Sequence, residues 1–235
     1  SEALRASWGV RPHGPVVLYV GRLAPEKNLG DLVAAFEAVR GVAPGARVVL
    51  VGDGPERAPL QRRCPDAVFA GVRHGGDLAA HYASADLFLF PSLTETFGNV
   101  VPEAMASGLA LVAYDCAAAA QLVCHAENGL IVRSGESRGF CAAAAHLAAN
   151  PPAARAMGVQ ARATARRLDW ESIVQAIETE YLVAMAKGMA RDRAADPWQR
   201  RRTLPPADCH QTATGRRQTQ AGTVIDETEE SAQPG

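Results

Sequence analysis

At residues 91–108 the chain reads Pro91-Ser-Leu-Thr-Glu95-Thr-Phe-Gly-Asn-Val-Val-Pro-Glu103-Ala-Met-Ala-Ser-Gly108. The apolar run before this stretch predicts a buried strand, and the pattern after it predicts a helix. Glu95 is therefore expected in a polar loop and Glu103 inside the helix. This arrangement aims two carboxylates and a helix N-terminus at one crevice, which suits a ligand that carries hydroxyls and phosphates.

Strand and helix patterns alternate on both sides of this stretch, from about residue 15 to residue 132. Apolar runs predict strands at 16–20, 47–51, 67–70, 86–90, 111–113 and 130–132, and helical spacing predicts helices at 28–40, 77–84, 99–107 and from Ala117. Continuous apolar strands between helices are typical of a parallel sheet covered on both faces, so we expect a Rossmann-like α/β fold. The loops 21–27, 52–55, 71–75 and 92–98 all leave the carboxyl ends of strands, where such sheets bind ligands.

After Ser134 the pattern predicts only helices. They cover 140–150, 152–167 and 170–187, with Asp169 as the N-cap of the last. Beyond residue 196 the chain contains an arginine cluster, a Gln/Thr/Gly-rich stretch and an acidic run, with few residues that form a core. This composition predicts a disordered tail.

The composition argues against several classes of protein. The 235 residues carry a formal net charge of -1 and only 6% are aromatic, so no nucleic-acid partner is expected. Five dispersed cysteines without a Cys-x-x-Cys pair indicate reduced thiols in the cytosol. His74, His81, His125 and His146 lack metal-ligand spacing, and we expect them at the surface or partly buried. No apolar run is long enough to span a bilayer.

The loop after the first strand carries two cations, Arg22 and Lys27, within Gly21-Arg-Leu-Ala-Pro-Glu-Lys27-Asn28. A guanidinium and an ammonium at a strand exit could hold a diphosphate. In the alternative interpretation they are solvated loop charges, paired with Glu26. The loop lacks the G-x-G-x-x-G pattern, so it does not indicate nicotinamide or flavin binding.

The glutamate loop also has two interpretations. We expect Asn99 to cap the following helix, leaving free N–H groups between Gly98 and Val101 that favour an anion by about 0.3–1 kcal/mol. Carboxylates beside a phosphate repel it unless each accepts hydroxyl protons, which favours a ligand with sugar on both sides of a diphosphate. Otherwise Glu95 is a solvated loop acid and Glu103 interacts with the helix dipole. A glycosidase pair is disfavoured by the nucleotide-type sheet.

Taken in order, these motifs resemble one family. They are Gly21-Arg22-Leu-x-x-Glu-Lys27-Asn28, Val51-Gly52-Asp53-Gly54-Pro55, Ala85-Asp86-Leu-Phe-Leu-Phe-Pro91-Ser92, and Glu95-Thr-Phe-Gly98 with Glu103-Ala-Met-Ala-x-Gly108. The sequence resembles the retaining GT-B glycosyltransferases of family four, from about residue 16 to 132 and more loosely to 181. The resemblance implies transfer of a hexose from a nucleotide-diphosphate sugar, GDP-mannose or a UDP-sugar, to a lipid or glycan acceptor. It implies no cofactor and no metal.

The resemblance also implies roles for individual residues. Arg22 and Lys27 would hold the donor diphosphate and stabilise it as it leaves. Glu95 would bind hydroxyls of the transferred sugar, and Glu103 would bind the ribose. The full set of implied donor-binding residues is Gly21, Arg22, Lys27, Val72, Glu95, Phe97, Gly98, Asn99, Val100 and Glu103. Of these, Arg22, Lys27 and Glu95 are also expected to act in catalysis, Val72 to border the nucleobase, and the N–H groups of 97–99 to orient sugar and phosphate.

Two further loops carry weaker expectations. Asp53 is expected to stabilise the backbone of its own turn rather than to act in catalysis. The loop from Ala117 to Ala120 stands where related enzymes have a small, glycine-containing loop, so its contacts with the donor could differ.

Whole enzymes of this kind also have an N-terminal acceptor domain, and this chain begins near the connection between the two domains. We therefore expect residues 1–14 to be a remnant of the interdomain linker, 15–188 the nucleotide-sugar donor-binding domain with its crossing helices, and 189–235 a disordered tail. The protein is expected to be cytoplasmic. Binding of the acceptor, and peripheral contact with the inner face of the membrane, would involve the N-terminal half. Two alternatives stay open: a stand-alone or inactive nucleotide-sugar-binding module, and an enzyme like the sugar-nucleotide 2-epimerases.

Overall fold

The computed structural model describes residues 1–10, 14–168, 178–179, 182–183 and 185. The chain divides into two compact units, residues 1–180 and 181–235. In the second unit the described residues 182–183 and 185 are helical. The predicted N-cap Asp169, most of the predicted helix 170–187 and the predicted tail lie outside the described residues.

The first unit contains a six-stranded sheet and its helices. The strands are β1 (Val16–Val20), β2 (Arg47–Val51), β3 (Val68–Gly71), β4 (Leu87–Phe90), β5 (Ala110–Tyr114) and β6 (Leu130–Val132). The helices are α1 (Glu2–Ser7), α2 (Leu29–Val42), α3 (Arg57–Arg63), α4 (Gly75–Ala83), α5 (Val100–Ala106), α6 (Ala117–Leu122), α7 (Ser137–Ala149) and α8 (Pro151–Ala165), with a 3-10 turn at Pro25–Lys27. Within the described residues every predicted strand and helix is present, with small shifts at the ends.

The strands run in the order β3-β2-β1-β4-β5-β6, and each neighbouring pair is parallel. The predicted Rossmann-like parallel sheet is thus confirmed. The order reverses between β1 and β4, which pair at Val17 with Leu87 and at Leu18 with Phe88. Chain segments that leave the carboxyl ends of these two strands diverge to opposite faces, which opens a crevice.

A hydrophobic core lies on each face of the sheet. One contains buried residues of α2, α3 and α7, among them Phe36 and Phe140. The other contains buried residues of α4, α5 and α6, among them Tyr82 and Met105. Strands with a core on both faces must be apolar along their whole length, which explains the continuous Val, Leu and Phe runs. Burying one such large side chain contributes roughly 1.5–3 kcal/mol.

Two helices and one buried histidine were not predicted. α3 buries only Leu60, so its sequence shows no helical periodicity, and α1 buries no residue at all. His81, expected at the surface or partly buried, is 3% exposed, so that prediction is wrong. Its ring packs 5.5 Å from that of Trp8, and its Nδ1 lies 2.7 Å from the carbonyl oxygen of Asp77. Tertiary packing by the segment that follows α1 covers this histidine.

No helix in the described part of the chain is both long and apolar enough to cross a membrane.

Candidate donor-binding site

A cleft opens where the order of strands reverses. The loop that follows β1 borders it on one side, and the loop that follows β4 borders it on the other. Its volume is about 450 Å³. The cleft is lined by Tyr19, Val20, Gly21, Arg22, Lys27, Phe90, Glu95, Thr96, Phe97, Gly98, Asn99 and Val100. The fold therefore brings together the cationic loop and the first half of the glutamate loop, two segments about 70 residues apart in sequence.

The loop that follows β1, residues 21–27, is the cationic loop and is called the β1 loop below. It rests directly on the backbone of the turn after β2. A Cβ placed on Gly52 would overlap the carbonyl oxygen of Gly21, and one on Gly54 would overlap that of Leu23. The N–H of Leu23 donates to the carbonyl oxygen of Asp53 at 2.9 Å. Glycine is needed at both turn positions because the two backbones touch, and both also have positive φ.

Asp53 and Tyr19 support these same loops. The Asp53 carboxylate accepts the N–H of Gly54 at 2.8 Å, which confirms that it stabilises its own turn. The buried Tyr19 hydroxyl donates to the carbonyl oxygen of Arg22 at 3.0 Å. Burial, followed by the negative charges of Glu95 and Glu26, raises the pKa of the Tyr19 phenol well above its ordinary value. The phenol therefore stays protonated and remains a donor to the loop.

The two cations of the β1 loop have different partners. Arg22 is exposed, and its guanidinium pairs with Glu26 on the same loop, as the alternative interpretation anticipated. Lys27 is largely enclosed and pairs across the cleft with Glu95, with 2.5 Å between Nζ and Oε1. The side chains of Lys27 and Glu95 are 16% and 14% exposed, so this pair is screened far less by solvent than the Arg22 pair. The sequence did not predict this contact between the loops.

The glutamate loop is tied to the start of α6. Ser92 is fully buried, and its carbonyl oxygen accepts the thiol of Cys116 at 3.2 Å. The carbonyl oxygen of Phe97 accepts the N–H of Ala118 at 2.8 Å. Ala117 has a φ of +48°, a conformation in which a side chain is strained. A glycine at this position would adopt the same backbone without that strain.

The start of α5 differs from the prediction at two points. Asn99 has φ −53° and ψ −24° and makes no side-chain cap, so the expectation that it caps the helix is wrong. Gly98, with φ +86°, already makes the turn into the helix, which leaves Asn99 in helical geometry without the extended backbone of a cap. The N–H of Val101 donates to the carbonyl oxygen of Gly98 at 3.0 Å and is not free. The N–H groups of 97–100 have no hydrogen-bond acceptor within the described residues.

Two of the predicted donor-binding residues do not line the cleft. Val72 follows β3 and is 58% exposed. Glu103 lies one turn into α5, where its Oε2 accepts the hydroxyl of Tyr82 at 2.8 Å. Tyr82 was not singled out from the sequence, because it lies 21 positions before Glu103 and on another helix. Its position on α4 gave no reason to expect more than an ordinary buried residue.

The described residues contain no group of three or more His, Cys, Asp or Glu side chains that could hold a metal ion.

The parallel sheet and its helices match structures of the GT-B class of glycosyltransferases. The chain is a member of the family described as glycosyl transferases group 1, whose model matches residues 14–150, more than half of the chain. The predicted membership of GT-B family four is thereby confirmed.

Two curated relatives are mycobacterial. A GDP-mannose-dependent alpha-mannosyltransferase of Mycobacterium tuberculosis is 45% identical over 139 residues, which cover 58% of this chain and 34% of the relative. A protein of the same name from Mycolicibacterium smegmatis is 37% identical over 192 residues, which cover 81% of this chain and 48% of the relative. The chain thus spans about half the length of these relatives, or less.

Solved structures agree in fold. The crystal structure of Anabaena HepE in complex with UDP-glucose has a TM-score of 0.66 and 28% identity, and the match covers 78% of this chain and 52% of that one. Sucrose-phosphate synthase from Thermosynechococcus elongatus has a TM-score of 0.65 and 29% identity, with 80% of this chain and 49% of that one covered.

Proposed function

We propose that this chain is the donor-binding half of a retaining glycosyltransferase, which transfers a hexose from a nucleotide-diphosphate sugar to a lipid or glycan acceptor. One observation carries the proposal: Arg22, Lys27 and Glu95 meet in one cleft at the switch between β1 and β4, together with the N–H groups of 97–100, which have no acceptor among the described residues. Cations and N–H donors suit a diphosphate, and a carboxylate beside them suits sugar hydroxyls.

Each residue has a defined role in this proposal. Arg22 and Lys27 bind the diphosphate and stabilise its negative charge as the glycosidic bond breaks, a task for positive charge fixed in advance. Glu95 accepts hydroxyls of the hexose, and Glu103 accepts hydroxyls of the ribose. Val72 borders the nucleobase. No metal is required in this scheme, because the two cations supply the charge.

GDP-mannose is the favoured donor. The relatives that are 45% and 37% identical are both named for their dependence on GDP-mannose, whereas HepE, bound to UDP-glucose, is 28% identical. The acceptor, any peripheral contact with the inner face of the membrane and a cytoplasmic location belong to the proposal for the whole enzyme. So do the domain limits at 1–14, 15–188 and 189–235.

Calorimetry on the full chain tests the donor site. We expect GDP-mannose to bind more tightly than UDP-glucose or UDP-N-acetylglucosamine. Lys27→Met should weaken binding roughly 10- to 150-fold, because a charge-assisted hydrogen bond to the diphosphate contributes about 1.5–3 kcal/mol. Arg40→Ala is the matched control: Arg40 is an exposed cation at the far end of α2, and its loss should leave the affinity unchanged.

Two results would contradict the proposal. One is that none of the three sugar nucleotides binds the wild-type chain. The other is that Lys27→Met binds GDP-mannose as well as wild type does. Tight binding that is never accompanied by transfer, even with an acceptor domain added, would instead favour the stand-alone binding module.

A further inference from the structure

Only one of the two oxygen atoms of the Glu103 carboxylate accepts a hydrogen bond from the described residues. Its Oε2 accepts the Tyr82 hydroxyl at 2.8 Å. No other side chain or N–H group in the described residues donates to this carboxylate. A carboxylate has room for about four hydrogen bonds, so Oε1 keeps its acceptor capacity.

Tyr82 is a fixed donor. The residue is 2% exposed, and its ring packs 5.9 Å from that of Phe88 on the neighbouring strand. Burial, reinforced by the hydrogen bond to Glu103 and by its negative charge, raises the pKa of the phenol well above its ordinary value. The hydroxyl thus stays protonated, and its only direction of donation among the described residues is towards Glu103.

A free glutamate side chain samples many rotamers, and ordering it on binding costs affinity. A hydrogen bond from an immobile donor removes most of that freedom before a ligand arrives. The direction of the bond matters as well: the phenol donates to Oε2, so Oε1 is left as an acceptor with nothing to donate. An acceptor of this kind bonds a hydroxyl and gains nothing from a carbon that lacks one.

We infer that Tyr82 is a positioning residue that holds Glu103 as a fixed acceptor for a ribose hydroxyl, and that this pair makes the chain select ribonucleotides over deoxyribonucleotides. The inference rests on the proposed function, because it takes Glu103 as the ribose acceptor. Tyr82 itself touches no ligand in this account. It acts through the orientation of the carboxylate.

The test is calorimetry on the full chain with GDP, 2′-deoxy-GDP and 3′-deoxy-GDP. Three variants are compared with wild type: Tyr82→Phe, Glu103→Gln and Tyr114→Phe. Tyr114→Phe is the matched control, since Tyr114 is also buried and also donates to a carboxylate, that of Asp31, at 2.6 Å. Thermal unfolding of each variant separates a loss of fold from a loss of affinity.

We expect Tyr82→Phe to weaken GDP binding about fivefold, because the Glu103 side chain must then be ordered when the ligand binds. Tyr114→Phe should leave GDP binding unchanged. For the deoxynucleotide that lacks the contacted hydroxyl, Tyr82→Phe and wild type should bind equally. A purely structural role would lower affinity for all three nucleotides by the same factor, and that result would overturn the inference. So would a Tyr82→Phe variant that binds GDP as wild type does while Glu103→Gln is weakened.

Failure of the proposed function has a different signature. If the wild-type chain binds no nucleotide, or if Glu103→Gln binds GDP as tightly as wild type, the ribose role of Glu103 is wrong, and the inference about Tyr82 is overturned with it.

Discussion

Two tyrosine–carboxylate pairs lie in the cores on opposite faces of the sheet. On one face the Tyr114 hydroxyl donates to Asp31 at 2.6 Å. On the other the Tyr82 hydroxyl donates to Glu103 at 2.8 Å. Both tyrosines are buried, and both carboxylates lie near the start of a helix that follows a loop of the cleft.

The pairs differ in how many donors the carboxylate has. Asp31 also accepts from Asn28 and from Ser137, each at 2.6 Å, so three side chains share it. This network joins α2 to β5 and to α7. Glu103 has one donor in the described residues. A carboxylate that accepts hydrogen bonds from several side chains of the protein stabilises the fold. A carboxylate with only one such donor can still accept hydrogen bonds from a ligand.

The largest difference between the two pairs is expected when either carboxylate is replaced by alanine and the loss of folding stability is measured. We expect Asp31→Ala to lower the free energy of unfolding by about 2–4 kcal/mol, because it leaves the Tyr114 hydroxyl and two further donors without their acceptor. Glu103→Ala should lower it by roughly half as much, about 1–2 kcal/mol, since only one buried donor loses its partner. Urea denaturation of both variants measures the difference. Equal losses would remove the distinction between the pairs.

Removing a single donor on the structural side should have a smaller effect. We expect Tyr114→Phe to lower the free energy of unfolding by about 1.5–3 kcal/mol, the net value of one hydrogen bond to a charged group. Asn28 and Ser137 still hold Asp31 in this variant. A loss as large as that of Asp31→Ala would show that the network depends on the tyrosine alone, which would contradict the shared arrangement.

Acid should produce the smallest change. Burial raises the pKa of Asp31, but the hydrogen bonds from Ser137, Tyr114 and Asn28 outweigh it, and the pKa lies below its ordinary value of 3.8. A carboxyl whose folded pKa is depressed adds stability above its unfolded pKa and loses it as the pH falls through the folded pKa. The stability difference between wild type and Asp31→Asn should therefore be constant from neutral pH to about pH 5 and shrink below pH 4. A difference that stays constant down to pH 3 would contradict this.

The sequence was a good guide wherever a pattern is local. Continuous apolar strands gave the parallel sheet, and loops at strand ends gave Arg22, Lys27 and Glu95 as neighbours in one cleft. The glycines in the turn after β2 indicated a turn with an unusual backbone. They did not indicate that this turn supports the β1 loop.

What the sequence did not indicate depends on contacts between distant residues. Lys27 and Glu95 are 68 positions apart, and Tyr114 and Asp31 are 83 apart, so no spacing rule links them. Asn99 failed as a cap because the backbone turn at Gly98 comes one residue early, a matter of dihedral angles that residue preference does not determine. α3 was missed because one buried leucine makes no period.

The contact of Gly52 and Gly54 with the β1 loop has a consequence for protein engineering. The backbone of the β1 loop and the backbone of the turn that contains Gly52 and Gly54 are in direct contact. A β1 loop taken from another protein, with a different backbone path, would therefore clash with this turn or lose contact with it. The two segments, some 30 residues apart in the chain, form a single exchangeable part and would have to be transplanted together.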